Sequence, residues 1–217
     1  MNTKKINKVM YIIVGLILAS ALALTLYGVL TEPDNEFLQV CWNETGQVQY
    51  TNGMDSSEMI CKNPERLEWR SDSLTVAVQE NGSVLRGEDV PSQIGYAIGI
   101  VNTQLATHLR LVDEVVGADI VINWHEAYDV GSRNTLGDAS GYCIHQRNGM
   151  GGIRAYMAIR ASGTNASEGK IAVHELGHCL GLAHSSSGIM RSSIDFSDPF
   201  VIFTTSQKKM LGNLYPN

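Results

Sequence analysis

The sequence holds 217 residues, 44% of them apolar, with 16 Lys and Arg against 22 Asp and Glu for a formal net charge of -6. That length suits one ordinary domain of about 100–200 residues plus accessories, excludes two full domains, and supplies a core without metal or disulfide staples. The mild acidity, with no basic cluster beyond the N-terminus, argues against a nucleic-acid partner, because phosphate binding needs concentrated positive surface.

In chain order, the first feature is the uncharged run Val9 to Leu30, preceded by Lys4, Lys5 and Lys8 and followed by Glu32, Asp34 and Glu36. About 20 apolar residues cross a bilayer, and positive charge on the short N-terminal side keeps that end in the cytoplasm. Residues 1–31 therefore read as a cytoplasmic tip and membrane signal-anchor, with everything after residue 31 outside. The alternative is a cleaved signal peptide, since Ala19, Ser20 and Ala21 form a small-residue site. Cleavage there would leave the remainder secreted.

Residues 32–70 mix charge, Asn, Gly and Pro without sustained periodicity, and are too few for a core of their own. They read as a stalk or small appendage before a main domain over 71–217. Four cysteines, Cys41, Cys61, Cys143 and Cys179, follow the apolar run, on the side where disulfides persist. Four allow three connectivities, of which we favour Cys41 with Cys61 and Cys143 with Cys179 because the first pair is local to the polar segment. Sequons stand at Asn43, Asn81 and Asn165 and would carry glycan only in a eukaryotic secretory route.

The main domain opens with Leu74, Val76 and Val78, a strand pattern closed by the turn pair Asn81 and Gly82. Pro91 then starts a helix in which Ile94, Ala97, Ile98, Val101 and Leu105 recur at three and four residues. Two short β-rich runs follow, His108 to Val112 and Asp119 to Trp124, split by Gly117. Beyond a Gly-rich stretch from Gly131 to Gly152, which encloses a strand at Tyr142 to His145, the alternation of Arg154 to Arg160 predicts another strand. Strand, helix and further strands in this order imply an α/β or α+β layer with a helix across a sheet.

The chemistry lies in HELGHCLGLAH, His174 to His184. Residues four apart share a helix face, so His174 and His178 aim at one ion. Gly181 can take the left-handed conformation that ends a helix, and the returning chain then brings His184 to the same point. Three imidazoles with one open position make a catalytic zinc site, and Glu175 stands where a general base for a metal-activated water is needed. Three His, one Glu and one Gly at these offsets coincide by chance on the order of once in ten million sites. His108 and His125 have no partner at metal spacing and read as structural or exposed.

This extended motif resembles the metzincin clan of metalloendopeptidases, and Met190, six residues past His184, resembles the clan's Met-turn, an apolar floor under the metal. Within the clan the sequence is most similar to the matrixins: Asp119 to Asn123 resembles their third strand, and Thr135 to Ile159 their edge strand and the strand after it. Ser185 and the C-terminal FTTSQKKMLGNLY are also matrixin-like. The resemblance implies an α+β catalytic domain: a twisted, mixed, mostly parallel sheet with an antiparallel edge strand, a backing helix, an active-site helix, a Met-turn and a C-terminal helix. It implies a protein or peptide substrate lying extended against the edge strand, at Gly137, Asp138, Ala139, Ser140, Gly141 and Tyr142. Arg191 to Pro199 would form the wall of the pocket beyond the cleaved bond. Zn2+ is the implied cofactor, and Asp138 and Gly149 to Gly152 are candidate positions for structural Ca2+.

The chain also departs from that family. No PRCGxPD-type thiol segment is present, residues 32–70 are few for the family's propeptide, and His145 lacks the companions of a structural zinc site. The competing reading, a catalytically idle zinc domain used to bind a partner or a surface, leaves Glu175 without a task. Nothing in the sequence sets an oligomeric state.

Overall fold

The structure, a computed structural model, describes residues 39–42, 48–50, 65–67, 69, 71, 73–105, 107–124, 141–147, 152–159, 164–197 and 201–214. Three short strands come first, β1 (Gln39–Trp42), β2 (Val48–Tyr50) and β3 (Glu65–Arg66). They pair antiparallel in the order β2-β1-β3, inside the segment expected to be a stalk or appendage. The chain then enters the main core before that segment ends: Leu67 and Trp69 are buried.

The main sheet rests on alternation. In β4 (Ser73–Glu80), Leu74, Val76 and Val78 point to one face and Ala77 to the other. Asn81 and Gly82, both at positive φ, turn the chain into β5 (Ser83–Val84), as the turn pair predicts. Helix α1 (Ser92–Leu105) follows Pro91 and buries Ile94, Ala97, Ile98, Val101 and Leu105, the five positions its periodicity marks. After it come β6 (His108–Leu111) and β7 (Ile120–Trp124), both parallel to β4. Asp119 fixes the β4–β7 register, its Oδ2 accepting Thr75 N–H and Oγ1–H, each at 2.7 Å.

Two further strands complete the sheet: β8 (Gly141–Arg147) and β9 (Ile153–Ile159). β9 lies parallel to β7, and β8 runs antiparallel to β9 as the edge strand. The order is β5-β4-β7-β9-β8, with β6 beside β4. Helix α2 (Asn165–Cys179) packs with α1 on one face of the sheet, and α3 (Thr205–Leu214) packs against α1. Side chains of both long helices meet Val76, Ile120, Ile122, Met157 and Ile159 in one core. The opposite face carries a smaller cluster around Ala77, Ala118 and Val121.

The helix ends follow capping chemistry. Thr164 Oγ1 accepts Ser167 N–H at 3.2 Å at the start of α2. Thr204 and Gln207 form a reciprocal capping box at α3, with Gln207 N–H on Thr204 Oγ1 at 3.2 Å and Thr204 N–H on Gln207 Oε1 at 2.8 Å. The mostly parallel sheet, antiparallel edge strand, backing helix and C-terminal helix are those the sequence resemblance implies. No helix among the described residues is long and apolar enough to cross a membrane, and Val9 to Leu30 lies outside them.

Candidate metal centre

The site is built where α2 ends. Leu182 N–H donates to the Gly177 carbonyl at 3.0 Å and Gly181 N–H to the His178 carbonyl at 2.9 Å, the paired bonds of a Schellman turn. Gly181 sits at φ 99°, and a Cβ there would stand 2.8 Å from the Leu67 carbonyl oxygen, so conformation and space both demand glycine. The turn returns the chain so that ligand atoms of His174, His178 and His184 all lie within 4.8 Å of one another. His174 and His178 are buried, and His184 is partly exposed.

Backbone carbonyls orient two of the rings. His174 Nδ1 lies 2.7 Å from the Ile189 carbonyl, and His178 Nδ1 lies 2.7 Å from that of Leu182. A carbonyl only accepts, so each Nδ1 carries the proton and each Nε2 presents a lone pair. Those two Nε2 atoms face each other at 3.0 Å. Two lone pairs so placed repel unless they share a cation, and a carbonyl behind a ligand imidazole is the usual outer support of a metal. Burial holds both rings neutral: it brings His174 down to about 4, with the Ile189 carbonyl opposing, and places His178 well below its ordinary value. The donor set therefore fits Zn2+, which takes neutral imidazole nitrogens in tetrahedral sites.

Glu175 is buried beside the histidines, and burial pushes its carboxyl up to about 8. Its Oε2 has no hydrogen-bond partner among the described residues. Such a group needs a proton, a water or a nearby cation. Gly141 makes room for it, since a Cβ there would fall 2.8 Å from Glu175 Cγ and 2.9 Å from Ile171 Cγ2. Of the six expected substrate-contact positions, Gly141 is thus placed against Glu175, and Tyr142 follows it in β8. Gly137, Asp138, Ala139 and Ser140 lie outside the described residues, as does the calcium candidate Asp138 with residues 149–151. Among the described residues β8 has a strand partner on one side, β9.

Met190 is buried beneath α2, where a Cβ on Gly177 would fall on Met190 Sδ and 3.2 Å from Phe203 Cε1. It lies under the turn of helix between His174 and His178, as a Met-turn residue does. The Met190 carbonyl accepts Ser185 N–H at 2.8 Å, which closes the short loop after His184.

Cys143 and Cys179 form the expected disulfide, with Cα atoms 5.5 Å apart, joining β8 to the end of α2. The Cys41 and Cys61 pairing lies outside the described side chains. His145 is buried, and its Nε2 meets the Cys179 carbonyl at 2.9 Å, so it supports the helix end; it belongs to no metal cluster among the described residues. His108 is exposed on β6.

Two features were not read from the sequence. Lys170, one turn before His174, donates Nζ to the carbonyls of Asp195 at 3.2 Å and Phe196 at 3.1 Å, fastening the loop expected to wall the pocket. A cavity of about 200 Å³ beside that loop is lined by Lys170, Ile189, Arg191, Ile194, Asp195 and Ile202. The other is Gly177, whose mid-helix position costs about 1 kcal/mol against alanine and was in principle a sign of close approach. The family model for matrixin matches residues 68–215. Comparison with curated proteins gives no match.

Proposed function

The chain belongs to the matrixin family of zinc metallopeptidases, and we propose that it hydrolyses internal peptide bonds of proteins or peptides outside the cytoplasm, with Glu175 as proton carrier. The observation that carries this reading is the buried Glu175 carboxylate, whose Oε2 has no partner among the described residues, one residue from the first of three convergent imidazoles.

His174, His178 and His184 would hold the zinc, with the Ile189 and Leu182 carbonyls fixing the first two rings. When bound there, zinc lowers the pKa of a coordinated water into the neutral range and polarises a peptide carbonyl. Glu175 takes the proton of the attacking water at a carboxylate oxygen and passes it to the departing amine. Ionised Glu175 is required for the first step, and a cation nearby opposes the burial that otherwise holds it protonated. The edge of β8 opposite β9, which has no strand partner among the described residues, offers backbone N–H and C=O groups to an extended substrate. The cavity lined by Lys170, Ile189 and Asp195, of which Ile189 holds the His174 ring through its carbonyl, receives a substrate side chain.

The location part of the proposal rests on the run Val9 to Leu30 with its three preceding lysines, read as a signal-anchor, and on a disulfide within the domain, which suits an oxidising compartment. Release by cleavage after Ala21 would leave the same enzyme secreted. Digestion of a proteome-derived peptide mixture by the purified chain tests the activity. Cleavage at internal bonds, stopped by o-phenanthroline, is the expected result, and zinc-loaded protein that cuts nothing would favour an idle binding domain.

A further inference from the structure

Several contacts converge on the last turn of α2, one residue past His178. The sulfur of Cys179 is bonded to Cys143 on β8. Its carbonyl accepts Trp69 Nε1–H at 2.8 Å and meets His145 Nε2 at 2.9 Å. Since a carbonyl only accepts, His145 Nε2 is the donor, and its ring stands edge-on to Trp69 with centroids 6.4 Å apart. Two residues past the helix end, the Leu67 carbonyl closes against Gly181. Trp69, His145 and Cys179 are all buried, as is Leu67.

The held turn carries two jobs for the metal centre. Its Leu182 carbonyl accepts the Nδ1 proton of His178, and its course past Gly181 delivers His184, whose ring centroid lies 5.3 Å from that of His174 and 4.7 Å from that of His178. A shift of residues 179–182 would therefore misdirect two of three ligands together. A disulfide fixes only one atom of this turn. The paired donors on the Cys179 carbonyl fix the peptide plane from which the turn departs, at a helix end whose last carbonyls lack partners within the helix.

We infer that Trp69 and His145 are positioning residues for the metal centre, holding the turn that aims His178 and His184. The inference rests on the metal reading proposed above. It carries a consequence for processing: the metal-holding unit begins at Leu67, ahead of the first strand of the main sheet at Ser73, so a cut that frees a zinc-retaining domain falls before Leu67.

The test uses the full 217-residue chain with Trp69→Phe, His145→Leu and His145→Gln, the last keeping an N–H donor near the place of Nε2. Val121→Ala, in the cluster on the opposite sheet face, is the control for general destabilisation. Three quantities are read: the rate of zinc release to EDTA, the visible spectrum of the cobalt-loaded protein, and the unfolding temperature of the metal-free protein. Trp69→Phe and His145→Leu should release zinc about tenfold faster, as loss of an outer support does, with an altered cobalt spectrum. His145→Gln should match the parent, and Val121→Ala should unfold earlier yet release zinc at the parental rate. Parental release and spectrum in Trp69→Phe and His145→Leu, or release from Val121→Ala as fast as from them, overturns the inference alone. A parent that binds neither zinc nor cobalt overturns the metal reading and this inference with it. If Trp69→Phe does not fold, the two His145 variants decide by the same criteria.

Discussion

Replacing Glu175 by Gln removes one ionisable group from the floor of the site and leaves its shape nearly intact. In the metal-free protein burial pushes the carboxyl up to about 8 from an ordinary value of 4.5, with no partner for Oε2 among the described residues. A raised pKa means that the folded state holds the proton longer than the unfolded one. The contribution of Glu175 to stability is then fully present below about pH 4.5 and is lost as pH rises through about 8. Between pH 5 and pH 8 the loss amounts to roughly 3–4 kcal/mol as an upper figure, since water entering the site would reduce it. Glu175→Gln has no such loss. Urea unfolding of the EDTA-stripped proteins should therefore show the variant gaining on the parent by a few kcal/mol on going from pH 5 to pH 8. Protonation of His174 and His145, depressed by burial, takes stability away as pH falls from 6.5 through about 4, and that of His178, held well below its ordinary value by burial, acts in the same direction; both proteins share these losses, which cancel. Zinc should abolish the difference, because a nearby cation restores the ionised carboxylate. An equal parent-to-variant difference at the two pH values would refute the assignment of a carboxyl raised by burial.

Gly177→Ala should destabilise the protein by about 1–3 kcal/mol in denaturant unfolding, despite the better helix propensity of alanine, because the new methyl lands on Met190 and Phe203. Gly181→Ala should cost more than Gly177→Ala in zinc affinity, read by competition with a chelator, since it strains a residue at φ 99° and displaces the turn to His184. The double change Cys143→Ser with Cys179→Ser opens a crosslink spanning 36 positions and should cost about 4 kcal/mol in urea unfolding on loop entropy. Unchanged midpoints in the first and third variants would contradict the packing and the crosslink respectively.

The convergence of His174, His178 and His184 was legible because helix geometry turns a spacing of four into a shared face, and because Gly181 announces the turn that brings the third imidazole back. The core face of α1 was legible for a like reason, its five buried positions being a periodic pattern. Glu175 could be named from its place beside His174, but its burial could not, since that depends on Gly141 arriving from β8 across the sheet. Trp69 and Leu67 were read as appendage because their neighbourhood is polar and lacks period, while their packing partner, the end of α2, lies more than 100 residues on. Lys170 gave no signal either: a charged residue in the first half of a helix ordinarily faces solvent, and the carbonyls of Asp195 and Phe196 help make its burial tolerable.

The most direct test of the central claim is zinc content measured together with peptide cleavage for the parent and Glu175→Ala. One zinc per chain in both, with internal bonds cut by the parent alone, is the result expected if three histidines hold the metal and Glu175 moves the proton. Cleavage by Glu175→Ala at the parental rate, or loss of zinc from that variant while His184→Ala keeps it, would contradict the account.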